Sequence, residues 1–93
     1  MTHPSLSELL DKRGKTHGNW PDNARLAQQM KEDWRKCEGW QRLSCSHREG
    51  LERIAEKIAR ILAGDSNHRE HWMDIGGYAE LAVRELGNGG KDE

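Results

Sequence analysis

Lys57 and Arg60 are separated by one short segment from His71, Asp74 and Tyr78, and these five side chains hold the densest functional chemistry in the chain. An ammonium beside a guanidinium can clamp a phosphate: the fork of arginine binds its oxygens in pairs and lysine adds a point charge. His71, Asp74 and Tyr78 stand at i, i+3 and i+7, which on a helix is a single flank. There Asp74 and His71 would hydrogen-bond a sugar or a base, and Tyr78 or Trp72 would stack on it. The set fits a small phosphorylated or nucleotide-like ligand that is bound and not transformed. Neither Cys37 nor Cys45 has a base in register, and no serine sits in a nucleophile elbow. The same spacing also fits a plainer arrangement, in which Asp74 pairs with Lys57 or Arg60 and locks two helices together. Glu49, Arg53, Glu56 and Arg60 alternate in sign at helical intervals and read equally as a solvated ion-pair face.

A second polar group lies upstream. Within RGKTHGNW, Arg13, Lys15, Thr16, His17 and Asn19 offer donors to an anion, with backbone N–H groups exposed at Gly14 and Gly18. A phosphate-binding P-loop would require glycine where Leu9 stands and a strand before it, so that motif is absent. A flexible polar connection between helices is the competing reading. Glu49 and Glu56 point away from the apolar stripe of their helix, so no metal or other cofactor is expected from the spacing of the acidic residues. His68 and His71 would need His17 or His47 to complete a zinc site, and no spacing joins them.

These side chains must be positioned by helices. Ser5 with Glu8 forms a capping box ahead of Leu6, Leu9 and Leu10, predicting a helix over about Leu6 to Arg13 that Gly14 closes. Pro21 sits in the first turn of a second helix, whose Trp20, Ala24, Ala27, Met30, Trp34 and Cys37 recur every three or four residues to about Lys36. Ser44 or Ser46 opens a third. Its stripe of Leu51, Ile54, Ala55, Ile58, Ile61 and Leu62 carries it to Ala63, and Gly64 ends it. Asn67 with Glu70 caps a fourth, built on Trp72, Ile75, Ala79, Ala82 and Leu86 and stopped at Gly87. Gly76 and Gly77 inside that helix each cost about 1 kcal/mol relative to alanine, which points to close passage of another helix or of a ligand. No period-2 run predicts a strand. The expectation is an all-α, compact four-helix, antiparallel bundle-like domain over residues 1–87, with a tail at 88–93.

Composition bounds what such a domain can do. At 93 residues only about two thirds of the unfolded surface is buried on folding, and with no Phe the four Trp must provide much of the large apolar area. Oligomerisation through Trp-bearing faces follows as an expectation. A net charge of −1, from 15 basic and 16 acidic residues that are interleaved, gives no field to hold duplex nucleic acid. Cys37 and Cys45 fit neither a disulfide framework nor a four-ligand zinc site, consistent with reduced thiols in a cytosol. No apolar run is long enough to span a membrane, and no signal-peptide core is present, so a cytoplasmic protein is expected.

The order RGKTHGNW, EGW, GLERIAEKIARILAGD and HWMDIGGYAEL resembles a family of small helical proteins encoded by tailed phages and prophages, over about residues 8–86. The shared pattern falls on Arg13, Gly14, His17, Gly18, Trp20, Lys57, Arg60, Gly64, Trp72, Asp74, Gly77 and Tyr78. The resemblance implies a viral protein acting in the host cytoplasm, for instance by sequestering a host signalling nucleotide or by binding a host defence protein. More distantly, the helical plan looks like that of the all-α nucleotide pyrophosphohydrolases related to MazG. Their EExxE and ExxD carboxylate blocks correspond here to Glu49, Glu52 and Glu56, then to His71 and Asp74. The likeness implies, as the alternative to no cofactor, a Mg²⁺ site on Glu49, Glu52, Glu56 and Asp74; the doubled glutamate is missing and ExxD has become HxxD, which removes part of that site.

Overall fold

The computed structural model describes residues 3–87 and contains five helices, with no strand among the described residues. The expected tail at 88–93 lies outside them. The all-α expectation therefore stands, with one helix more than the four predicted.

Helix α1, Leu6–His17, starts as expected with the Ser5 hydroxyl accepting from the Glu8 N–H at 3.1 Å. It does not stop at Gly14. Thr16 returns its hydroxyl to the Arg13 carbonyl at 3.1 Å, and the last turn closes only where Gly18, at φ 81°, donates its N–H to the Gly14 carbonyl. A left-handed φ strains any residue with a Cβ, so Gly18 is the glycine that ends the helix. Helix α2, Trp20–Arg35, is capped by Asn19, whose side chain accepts from the Asp22 N–H. The short α3, Glu38–Arg42, was not foreseen, because five residues around one tryptophan carry no periodicity. Arg48 ties it to the next helix by donating to the carbonyls of Trp40 and Gln41.

Helix α4, Cys45–Ala63, begins at Ser44, whose hydroxyl accepts from the His47 N–H, so of the two candidate serines Ser44 is the cap. Helix α5, Arg69–Leu86, begins differently from expectation. His68 occupies the cap position, and the Asn67 N–H is instead held by the Asp65 carboxylate at 2.9 Å, so the Asn67–Glu70 capping box does not form.

Helix α4 is the centre of the molecule and packs against both α2 and α5. Lys31 with Glu56 and Arg35 with Glu52 fix an antiparallel α2–α4 pair, and Lys57 with Asp74 and the His47 ring on the Ala82 carbonyl do the same for α4 and α5. The buried apolar side chains are few: Ala27, Trp40, Ala55, Ala59 and Ile61. Alanine at the contacts brings the backbones close but leaves a thin core. The outline is correspondingly flat, 51 × 30 × 22 Å, with a radius of gyration of 16.0 Å, where a globule of this length has about 12 Å. Trp20 and Trp72 stay exposed while Trp40 is buried. Among the described residues no helix crosses at Gly76 and Gly77 as expected, since a Cβ at either position would meet nothing within 4 Å.

Candidate functional site

The turn between α1 and α2 and the turn between α4 and α5 are bolted together. A Cβ on Gly18 would fall 2.8 Å from the Ala63 Cβ and closer still to its carbonyl, and one on Gly64 would lie 2.5 Å from the Gly18 nitrogen. Only two glycines permit that approach. The Thr16 carbonyl then accepts twice, from the Asp65 N–H at 2.9 Å and from the His71 ring Nε2 at 2.8 Å. Because a carbonyl only accepts, Nε2 of His71 must carry a proton. His71, 2% exposed, is thus a buried fastener and not a wall of a pocket. Asn23, also buried, donates to the His17 carbonyl at 3.2 Å and fixes the other side of the turn.

Over this junction opens a cleft of about 820 Å³, lined by Leu10, Asp11, Arg13, Gly14, His17, Gly18, Asn19, Trp20, Asn23 and Arg60. Carbonyls at the end of α1 are already satisfied: that of Arg13 by Thr16, that of Gly14 by Gly18, that of Thr16 by Asp65 and His71, and that of His17 by Asn23. The Arg13 and Arg60 guanidiniums are therefore not needed as helix caps. Among the described residues neither forms an ion pair or a side-chain hydrogen bond. Trp20, 77% exposed, stands at the rim as a bare aromatic face, and Asp11 is the one carboxylate lining the cleft.

His17 completes the set. Burial, and after it the charges of Arg60, His71, Arg13 and His68, hold its pKa below the ordinary 6.5. Its Nδ1 lies 2.6 Å from the Thr16 hydroxyl, which itself donates to the Arg13 carbonyl, so Nδ1 carries the proton and Nε2 is left bare. Protonation at Nε2 would make the ring a second donor and a third cation. A histidine whose folded pKa is depressed resists a proton that the unfolded chain accepts, so folded stability falls as pH drops below 6.5 toward the folded value. Chemical denaturation between pH 7.5 and 5.5 is expected to show this slope, and His17→Gln to make it shallower.

Of the side chains predicted to bind ligand, Arg13, His17 and Arg60 converge on this cleft, and the others do not join them. Lys57 and Asp74 face each other at 3.4 Å across the α4–α5 contact, the locking pair that the spacing also allowed. Tyr78 lines a separate groove with Gly50, Arg53 and Leu81. Trp72 is exposed on α5 and donates its indole N–H to the Ser66 carbonyl at 2.8 Å. The four carboxylates considered for magnesium stand in four separate pairs: Glu49 with Arg53, Glu52 with Arg35, Glu56 with Lys31 and Asp74 with Lys57. Burial opposes ionisation of Glu56, yet the hydrogen bond and charge of Lys31, with Arg53 and Arg60, outweigh it and keep its pKa below the usual range. Among the described residues, no three His, Cys, Asp or Glu side chains are arranged to hold a metal ion.

In comparison with known proteins, no family model, curated protein or solved structure matches the chain. The geometry of the cleft is accordingly the basis for any functional reading. Trp20 and Asn23 were missed as site residues, since Trp20 continues the apolar spacing of α2 and Asn23 carries no local signal. No helix among the described residues is long and apolar enough to cross a membrane.

Proposed function

We propose that the protein binds a small phosphorylated, nucleotide-like molecule in the cleft between the α1–α2 turn and α4, and releases it unchanged. The observation that carries this reading is the meeting of two unpaired guanidiniums, Arg13 and Arg60, with an exposed indole in one concavity. Two guanidiniums lining one cleft, neither in an ion pair among the described residues, favour an anion between them, and a phosphate there would accept from both forks. His17 adds a third donor once protonated, and Trp20 offers a stacking face for a base. The junction beneath is held by glycine packing and a buried histidine, which keeps these groups on a preorganised floor.

In the setting implied by the likeness to phage-encoded helical proteins, such a cleft would sequester a signalling nucleotide of the host, in the host cytoplasm. Lys57 and Asp74 serve the α4–α5 contact in this reading.

A thermal-shift series with pyrophosphate, nucleoside mono- and triphosphates and cyclic dinucleotides, followed by recovery of the ligand, tests the proposal. The melting temperature is expected to rise with at least one nucleotide, less so as salt is added, and the nucleotide to be recovered intact. No shift with any member, while a host protein co-purifies, would assign the protein to inhibition by protein contact. Pyrophosphate release with Mg²⁺ that is abolished by Asp74→Ala would make it an enzyme of the MazG kind.

A further inference from the structure

Trp20, Asn23 and Arg60 line the ligand cleft and also a second, smaller cavity between α2 and α4, of about 210 Å³. Sites that hold a whole small molecule run to about 300–1,000 Å³, so this one suits a part of a ligand whose remainder lies in the cleft. Ala24 and Ala27 follow Trp20 at helical spacing along α2 and line the same cavity. An aromatic face continued by small apolar groups suits a planar ring, which stacks on the one and lies over the others.

The cavity also holds the Lys31–Glu56 pair. The ammonium meets Oε2 of Glu56 at 2.9 Å, and both residues are half-buried. That bond leaves capacity on either side: Lys31 has two further protons to donate, and Oε1 of Glu56 forms no hydrogen bond among the described residues. The pair thus offers a donor, an acceptor beside it and then a second acceptor. A base edge that matches must present an acceptor followed by two donors. Guanine does so with O6, N1–H and its 2-amino group. Adenine and cytosine each carry one amino group beside a bare ring nitrogen, and uracil has one N–H between two carbonyls, so none of these satisfies all three positions.

We infer that this cavity is the base subsite of the ligand cleft and that it selects guanine, with Lys31 on O6 and the Glu56 carboxylate on N1–H and the 2-amino group. The inference rests on the phosphate reading of Arg13 and Arg60 and adds the identity of the base. Hydrogen bonds to a charge pair that is half out of water are strong enough to discriminate between bases.

Isothermal titration of GMP, IMP, AMP and pyrophosphate into the full chain tests it. IMP keeps O6 and N1–H and lacks only the 2-amino group. GMP is expected to bind about 10-fold tighter than IMP and about 100-fold tighter than AMP. Glu56→Gln keeps an acceptor for Lys31 but turns the other oxygen into a donor, and is expected to remove the preference for GMP. Ala24→Leu fills the cavity and is expected to bring the three nucleotides to one affinity. Both results are ratios within a single variant, so a loss of stability does not imitate them. A wild type that binds pyrophosphate and binds the three nucleotides alike overturns the guanine subsite and leaves the phosphate cleft standing. So does a preference for GMP that survives both substitutions. A wild type that binds none of the four overturns the phosphate cleft as well.

Discussion

Gly64→Ala is expected to remove most of the folded population. The new methyl group would overlap the Thr16 carbonyl and the Gly18 nitrogen, which are backbone atoms and cannot swing aside like the end of a side chain. Relief requires moving the α1–α2 turn off α4, and with it the double acceptor at Thr16 that holds Asp65 and His71. Overpacking of this kind, with loss of buried hydrogen bonds, costs about 3 kcal/mol or more. That is a large share of the roughly 5 kcal/mol available to a domain this small. Gly18→Ala meets the same overlap and an unfavourable φ as well. Gly50→Ala is the control: it lies inside α4 with open space where its Cβ would be, and is expected to stabilise by up to about 1 kcal/mol. Urea denaturation followed by far-ultraviolet circular dichroism separates the three. A Gly64→Ala protein as stable as the wild type would mean that the two turns are not packed as described.

Much of the helical plan was legible because it rests on local chemistry. Leu51, Ile54, Ala55, Ile58 and Ile61 repeat at a helical period, Gly64 ends their helix, Ser5 caps α1 and Pro21 sits in the first turn of α2. Where glycine choice depended on tertiary contact, local reading failed. Gly14 looks like a terminator, yet the chain turns at Gly18, because Ala63 fills the space that a Cβ would need there. The site was legible only in part for a related reason. Spacing assigns a residue to a flank but not to a depth, so it placed Lys57 and Asp74 on facing helices and left open whether they hold a ligand or pair with each other, as they do. His71 finds its partner, the Thr16 carbonyl, 55 residues upstream, a distance over which periodicity carries no information. Arg60 reaches the same cleft as Arg13 because the glycine junction folds α1 back against α4.

The second large effect concerns Arg13 and Arg60. Each guanidinium is expected to contribute one or two charge-assisted hydrogen bonds to a bound phosphate, worth about 1.5–3 kcal/mol, so Arg13→Gln or Arg60→Gln should weaken binding by about 10- to 100-fold. Neither arginine forms an ion pair among the described residues, so both variants should retain the melting behaviour of the wild type without ligand. Trp20→Ala should reduce affinity for nucleotides but not for pyrophosphate, because only the base can stack on the exposed indole. Lys57→Gln reports on the other arrangement. It leaves the Asp74 carboxylate without its partner at the α4–α5 contact, so its effect belongs to stability and not to affinity.

Isothermal titration of the tightest nucleotide from the thermal-shift series into the wild type, Arg60→Gln and Lys57→Gln is the most direct test of the cleft. Loss of binding by about 10-fold or more in Arg60→Gln, with Lys57→Gln close to the wild type, is the result that the geometry predicts. Equal affinity in wild type and Arg60→Gln, or loss confined to Lys57→Gln, would contradict it and return the ligand to the α4–α5 contact.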